Sequence, residues 1–368
     1  MASPSFAFLS DRDGYVPEMS SECVAFARSE TDFPLMKYAE LKPEKNKVFL
    51  FGQLGRDEFI RDTGRDLKAW QPGDATPDGE NNQIPFLIQE GRCFDHIEAW
   101  RLAYDVIDQS TVFKPKVAYA RAAITKMMTD RTNAAVGILT TSSNWGSHTA
   151  TATALNGGAG LWSNASDDPN SPNYLAIQRT LQATARQIHL DTNGVVKQSH
   201  LKCIIGPDLA IAMSQTAEMN NYVRQTPQAL KLLEDGFDEN MSRWSLPRRY
   251  KGWEFIVEDS PIVTAVPNAT AYSSTGGYPS QPLMAPEGAR SYIWPKSTAV
   301  VVARIGSLDG EPAGMGSYST FRIFHYKGLL QSYAFDEPHN FRVRGMVKEC
   351  IAMEIVANLS GFNIQGCM

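Results

Sequence analysis

Histidines, cysteines and clustered carboxylates are the side chains from which metal centres, nucleophiles and acid–base pairs are built, so their spacing comes first. The six histidines, His96, His148, His189, His200, His325 and His339, never fall as HxH, HExxH or HxxxH. Those spacings put two imidazoles on one face of a strand or helix; without them a metal site has to be assembled wholly by the fold. The five cysteines, Cys23, Cys93, Cys203, Cys350 and Cys367, lie far apart with no CxxC pair. An odd count at such spacing fits neither a zinc site nor a disulfide framework, and they read as free, mostly buried thiols. "NGGAG" (Asn156 to Gly160) has the glycines of a phosphate loop but lacks the GK[ST] ending and runs into more loop, so it reads as a turn. "GMGSYSTF" is not the GxSxG of a nucleophile elbow. The acidic stretches "DGFDEN" (Asp235 to Asn240) and "DDPN" (Asp167 to Asn170) do not alternate oxygen ligands as a calcium loop does. No catalytic, cofactor-binding or metal-ligating set emerges. In a chain of this size that shifts weight from an enzyme towards a structural or binding role.

Composition narrows the class further. At 368 residues, 43% hydrophobic and 20% charged, the chain is an ordinary globular protein with room for one large domain or two or three smaller ones. There is no run of roughly 18 apolar residues, so no transmembrane helix is expected. The N-terminal "MASPSFAFLSDRDGYVPEM" has neither the basic start nor the apolar run of a secretory signal, which points to the cytoplasm. Sequons at Asn164, Asn268 and Asn358 carry little meaning without one. The net charge of −5, with both signs mixed along the chain, argues against a protein whose main task is gripping a phosphate backbone. The basic, aromatic "LPRRYKGW" (Leu246 to Trp253) reads as a solvated turn.

The elements that must position any function follow from periodicity. Residues 1–44, interrupted by Pro4, Pro17, Pro34 and Pro43, read as an extended arm outside the core, with a short helix over "SSECVAFARS". "KVFLFGQL" (Lys47 to Leu54) and "QIPFLIQEGRCFDHIEAWRL" (Gln83 to Leu102) read as strands. Between them lies a long, highly charged insert broken by Gly and Pro. Loops of that length are uncommon, and those that persist are usually functional or disordered. Two strands joined by it make a two-stranded arm that needs a surface to lie on. "VFKPKVAYARAAITKMMTDRTNAAVGIL" predicts a helix of more than six turns, with Pro115 in its first turn. Its apolar stripe is Ala120, Ile124, Met128, Ala135 and Ile138, with Lys116, Arg121, Lys126 and Arg131 off the stripe. A loose region, a second helix over "NYLAIQRTLQATARQIHL" and a strand–Gly-Pro–helix unit from His200 follow. "STAVVVARIG" reads as a buried strand, because its Val run has no polar alternation. "STFRIFHYKGLLQSYAF" and "FRVRGMVKECIAMEIVANL" read as two long strands joined by "DEPHN" (Asp336 to Asn340).

This order resembles the major capsid proteins of tailed bacteriophages, the α+β Hong Kong 97-like shell fold, over nearly the whole chain. The resemblance implies an N-terminal arm at 1–44, an extended loop at 45–100, and a peripheral domain at 101–195 with its spine helix at about Ser110 to Leu139. It further implies an axial domain at 196–317, peripheral C-terminal strands at 318–358, and a last axial strand within 359–368. Some members carry a long scaffolding extension or a removable propeptide before the arm; this sequence starts directly with the arm, which suits a separate scaffolding protein or a chain recorded after processing, Met1 favouring the first.

The implied function is a structural coat subunit, not an enzyme and without cofactors. It would assemble with itself into hexamers and pentamers of an icosahedral shell around double-stranded DNA, in a virion put together in the host cytoplasm. Scaffolding, portal and decoration proteins are the implied partners, with no membrane. In the extended loop, Arg56, Arg61, Arg65 and Lys68 alternate with acids, a pattern suited to setting register between neighbours. Phe59 and Trp70 are the expected anchors there. Asp336, Glu337 and His339, in the hairpin loop, are expected near threefold contacts. The same fold also serves bacterial nanocompartment (encapsulin-like) shells, and a soluble hydrolase with a fold-assembled site is the alternative from another class.

Overall fold

The computed structural model describes residues 33–53, 87–109, 115–158, 160–192, 194–225, 244–263, 290–304, 319–327 and 330–368. In chain order the elements are α1 (Leu35–Tyr38), β1 (Glu40–Glu44), β2 (Val48–Gln53), β3 (Leu87–Arg92), β4 (Phe94–Ala103), α2 (Tyr104–Gln109) and α3 (Pro115–Thr140). Next come β5 (Thr149–Thr151), α4 (Ala152–Leu155), α5 (Ala176–Asp191), β6 (Leu201–Ile205), α6 (Pro207–Ser214) and α7 (Ala217–Arg224). The remainder is strand: β7 (Arg249–Tyr250), β8 (Trp253–Val257), β9 (Pro261–Val263), β10 (Arg290–Tyr292), β11 (Ala299–Ala303), β12 (Phe321–Tyr326), β13 (Gln331–Glu337), β14 (Arg342–Ile355) and β15 (Phe362–Gln365).

The first sheet is built on β14. Strand β4 runs antiparallel along one edge from Ala103↔Arg342 to Phe94↔Ile351. The other edge takes β13 and then β12, with β1 added parallel outside β12. The single strand expected over "STFRIFHYKGLLQSYAF" is therefore two. His325 faces Ile351 and Gln331 faces Lys348, so six steps on one side meet three on the other and the ladder slips by three residues. The break falls at Lys327, which sits at φ 57°. In β14, Gly345 is required by close approach: a Cβ there would lie 2.1 Å from the Trp100 ring on β4.

Helix α3 packs along this sheet, as its stripe predicts. Ala120, Ile124 and Met128 share a core with Trp100, Leu102, Val343 and Val347. Further along, Ala135, Val136 and Leu139 pack with Phe321, Ile323, Ile351 and Ile355, and with Ile204, Val300 and Val302 of the second sheet. One expectation for this helix fails. Arg131, placed off the stripe from sequence, is buried against Glu349 of β14.

The second sheet has the order β5-β15-β11-β6-β8-β7. It is covered on both faces, which is why β11 is buried at every position. Val300 and Val302 face α3 and the first sheet, whereas Ala299, Val301 and Ala303 face a core containing Ile177, Leu181 and Ile188 of α5 and Leu209 and Met213 of α6. Thus α5 shares a core with strands from residue 201 onward, across the boundary expected at 195. The last strand β15 joins this sheet beside β11.

The reading of residues 1–44 as lying outside the core is corrected for its described part. Leu35 and Tyr38 are wholly buried, and β1 is a sheet strand paired with β12. Pro34 begins the turn into α1, and Pro43 is tolerated because β1 is an edge strand. Arg304 donates to the carbonyls of Met36 and Lys37 at 2.8 and 2.7 Å, placing a cation at the C-terminal end of α1. The expected helix over "SSECVAFARS" lies outside the described residues.

Candidate assembly surfaces

Two places combine exposed apolar groups with fixed charges, and each is set up by local pairing. The first is the root of the two-stranded arm. Strands β2 and β3 pair antiparallel from Val48↔Arg92 to Gln53↔Leu87. The alternation in "VFLF" divides the faces. Phe49 and Phe51 point inward onto Phe324, at ring-centroid distances of 4.4 and 5.6 Å, beside Cys93, Cys350 and Ala352. Val48 and Leu50 point outward, and Leu50 remains 69% exposed. Burying two phenylalanines contributes roughly 1.5–3 kcal/mol each and holds the ribbon to the sheet face opposite α3. Lys47 ties the root to β4 by donating to Asp95 at 2.6 Å, with Lys348 of β14 at 3.4 Å from the same carboxylate. The hydrogen bond from Lys47 pulls the Asp95 carboxyl down to about 2. Beside the root, residues 42–46 and 48–50 line an open groove of about 870 Å³. The loop residues expected to make subunit contacts, Arg56, Phe59, Arg61, Arg65, Lys68 and Trp70, lie outside the described residues.

The second place is the β13–β14 hairpin tip, a turn over Pro338–Asn340. Here the structure gathers the other expected residues. Glu337 accepts from Arg342 at 2.6 Å and from Asn340 at 3.3 Å, and lies 4.0 Å from Arg344. The Arg342 bond holds the Glu337 carboxyl below its ordinary range. Asp336 and His339 are exposed on the same tip. Sequence reasoning missed Phe341, the next residue after the turn, which is the most exposed large apolar side chain among the described residues. It missed Phe94 and Ile97 on β4 as well, at 58% and 54% exposed. All four residues of "VFLF" are apolar, so nothing in sequence marked Val48 and Leu50 as the outward pair, and nothing marked Phe341.

Between the Phe94 end of β4 and α3 lies a cleft of about 300 Å³, edged by His96, Glu98 and Asp130 and floored by the Arg131–Glu349 pair. Arg131 donates to both carboxylate oxygens, through Nε at 3.4 Å and through Nη2, and its Nη1 is buried with no hydrogen-bond partner.

The histidine arrangement closest to catalysis is structural in geometry. His148 is wholly buried, with Nε2 2.8 Å from Asp191 and Nδ1 2.8 Å from the Gly361 carbonyl. Both ring nitrogens are committed to the protein, which ties α5 to the approach of β15 and leaves neither for a substrate. Among the described residues no group of three or more His, Cys, Asp or Glu is placed to hold a metal ion. Cys93, Cys203, Cys350 and Cys367 are buried free thiols. Gly157, Gly158 and Gly160 of "NGGAG" have positive φ and lead into a short 3-10 turn, not a helix that could receive a phosphate. Among the described residues no helix is long and apolar enough to cross a membrane.

No family model matches the sequence, and no curated protein matches it. Solved structures do. A phage-related protein from Bordetella bronchiseptica aligns at TM-score 0.60 and 10% identity, over 97% of this chain and 99% of that one. At lower similarity come a virus-like particle from Pyrococcus furiosus (0.46, 9% identity, 95% and 98% covered) and the capsid of cyanophage P-SCSP1u (0.44, 8%, 99% and 92%). The fold is α+β and Hong Kong 97-like, as the order of elements implied.

Proposed function

We propose that the chain is a structural shell subunit of the major capsid type, assembling into hexamers and pentamers of an icosahedral particle that encloses double-stranded DNA. The observation that carries this reading is the fold likeness to a phage-related protein along almost the full length of both chains. A two-stranded arm riveted to the first sheet by Phe49, Phe51 and Lys47 supports it. This root carries a connection whose Arg56, Arg61, Arg65 and Lys68 alternate with acids, a segment that finds its partners on a neighbouring copy. Phe59 and Trp70 anchor it there. The tip with Asp336, Glu337 and His339 makes a second contact between copies. Each contact is weak, and closure comes from many symmetric contacts formed together. The mildly acidic chain holds DNA without reading its sequence. Scaffolding, portal and decoration proteins complete the assembly in the host cytoplasm, and the finished location is the virion. No enzymatic activity is proposed.

The test is to express the full chain alone and with its neighbouring genes, and examine the product by negative-stain microscopy with nuclease digestion of the particles. Closed shells protecting DNA support the reading in full. Closed shells holding protein cargo move it to the nanocompartment alternative, and a persistent monomer or dimer overturns it.

A further inference from the structure

The basic stretch "LPRRYKGW" leads into the β7–β8 hairpin, and neither the arm root nor the β13–β14 tip uses it. Its aromatics Tyr250 and Trp253 are buried, while Arg248, Arg249 and Lys251 are exposed. Tyr250 pairs with Trp253, so Lys251 and Gly252 form a two-residue turn, at φ 46° and 89°. Asn-Gly or Asp-Gly is the ordinary choice where both φ are positive, and a lysine in the first place is strained. The fold holds it there nonetheless. Lys251 Nζ donates to the Gln178 side chain at the start of α5, and its carbonyl accepts from Gln198 Nε2 at 3.2 Å. Towards the end of α5, His189 Nδ1 lies 3.4 Å from the Val196 carbonyl. These bonds tie α5, the connection at 195–200 and the hairpin turn into one surface, and backbone strain of this kind collects at functional positions.

That surface is basic. The exposed side chains of α5 include Arg179, Gln182, Arg186 and His189, and its one carboxylate, Asp191, is bonded to the buried His148. Arg179 and Arg186 stand two turns apart on one side of the helix, about 10 Å along its axis. Lys197 is exposed on the connection. Residues 171–205 and 244–257 together carry seven Lys and Arg against two carboxylates, in a chain whose net charge is −5. The second carboxylate, Glu254, faces Arg249 across the hairpin and lies 3.4 Å from Lys202. Glu218, near the turn, is buried and already accepts from the N–H groups of Ile177 and Gln178 and from the Tyr250 hydroxyl. Among the described residues, no ion pair engages Arg179, Arg186, Lys197, Arg248, Arg249 or Lys251.

We propose that this face binds the phosphate backbone of double-stranded DNA. The choice of DNA rests on the shell reading above and adds to it a contact surface for the enclosed duplex. Unpaired cations concentrated on one face of an otherwise acidic chain select a polyanion. A single strand needs exposed aromatic faces on which its bases stack. Here Tyr250 and Trp253 are inside, and the Arg179 guanidinium covers the Tyr174 ring at 5.0 Å. What remains outside is Arg and Lys, which hold phosphates and carry no sequence information through them.

The experiment follows the anisotropy of a fluorescein-labelled random duplex of about 30 base pairs, titrated with the full unassembled chain as salt is raised. Wild type is compared with Arg186→Gln/Arg248→Gln/Lys251→Asn. A control of equal charge change, Lys45→Gln/Arg92→Gln/Lys327→Asn, alters exposed cations near the arm root. The first variant should lose about tenfold or more in affinity at low salt, and about 2–3 from the slope of log K against log salt, at 0.9 per phosphate contact. The control should keep the wild-type slope. Asn suits the left-handed turn, so the unfolding temperature should hold or rise; Arg186→Gln alone should still lower the slope by about 1. An unchanged slope in the first variant, or an equal loss in the control, overturns the inference. So does tighter binding of a single strand, or displacement of the duplex by poly-glutamate at equal charge, which would mark the face as a site for an acidic protein segment. If wild type forms particles but binds no duplex, this inference fails and the shell reading stands. If it binds duplex through this face and never forms particles, the shell reading fails and the surface stands.

Discussion

The Arg131–Glu349 pair sets the sharpest energetic test of how α3 is bound to the first sheet. The two side chains are 0% and 1% exposed, so solvent screening does little to discount their interaction. Replacing Glu349 with Ala leaves a buried guanidinium that stays charged without the carboxylate it is bonded to, and should cost about 3–5 kcal/mol. Replacing both, as Arg131→Met with Glu349→Leu, removes two desolvated charges and fills the space with apolar groups. The double variant should lie between neutral and about 1–4 kcal/mol more stable than wild type. Urea unfolding of the unassembled chain, followed by tryptophan fluorescence, measures both, with the slope checked for constancy between variants. The unpartnered Nη1 and the adjacent cleft supply the way to be wrong. If water from the cleft already solvates Arg131, Glu349→Ala will cost under about 1 kcal/mol, the value of a surface pair. The reading of the pair as a buried, desolvated tie between α3 and β14 would then be refuted.

Three further expectations follow from single positions. Gly345→Ala drives a methyl into the Trp100 ring and should cost about 1–3 kcal/mol, with a shifted Trp emission; an unchanged unfolding midpoint contradicts the close approach. Asp95, with its folded pKa lowered to about 2 from 3.8, contributes stability present above pH 4 and lost as pH falls towards 2. The advantage of wild type over Asp95→Asn should be small, since solvent reaches the partly exposed side chain, and should vanish across that window. Glu258, raised from 4.5 chiefly by burial although Ser260 and Tyr38 donate to it, has the opposite sign. Its ionisation destabilises the fold as pH rises above 4.5, so Glu258→Gln should gain on wild type with rising pH, and a flat difference would show that the carboxyl is not desolvated.

Where one strand or helix carries its own periodicity, the sequence was readable. The Val run of β11 and the stripe of α3 each report a buried face, and the structure places both there. What failed depended on partners far along the chain. Arg131 reads as a solvent residue until Glu349, 218 positions away, is brought beneath it. The prolines at 34 and 43 read as breakers, yet one opens a helical turn and the other sits in a strand with a free edge. The dipeptide "KG" at Lys327 could have flagged the break between β12 and β13. Of the nine expected contact residues, Asp336, Glu337 and His339 come together on one tip. Phe341, beside them, takes a left-handed backbone angle that no residue pattern announces.

The measurement that bears most directly on the shell reading is the mass of the assembled species, taken by light scattering on the full chain as concentration is raised. The account predicts a steep passage from small oligomers to a single megadalton particle of defined radius. A mass that stays at 40.7 kDa, or at twice that value, at every concentration and in the presence of its co-expressed neighbours would contradict it.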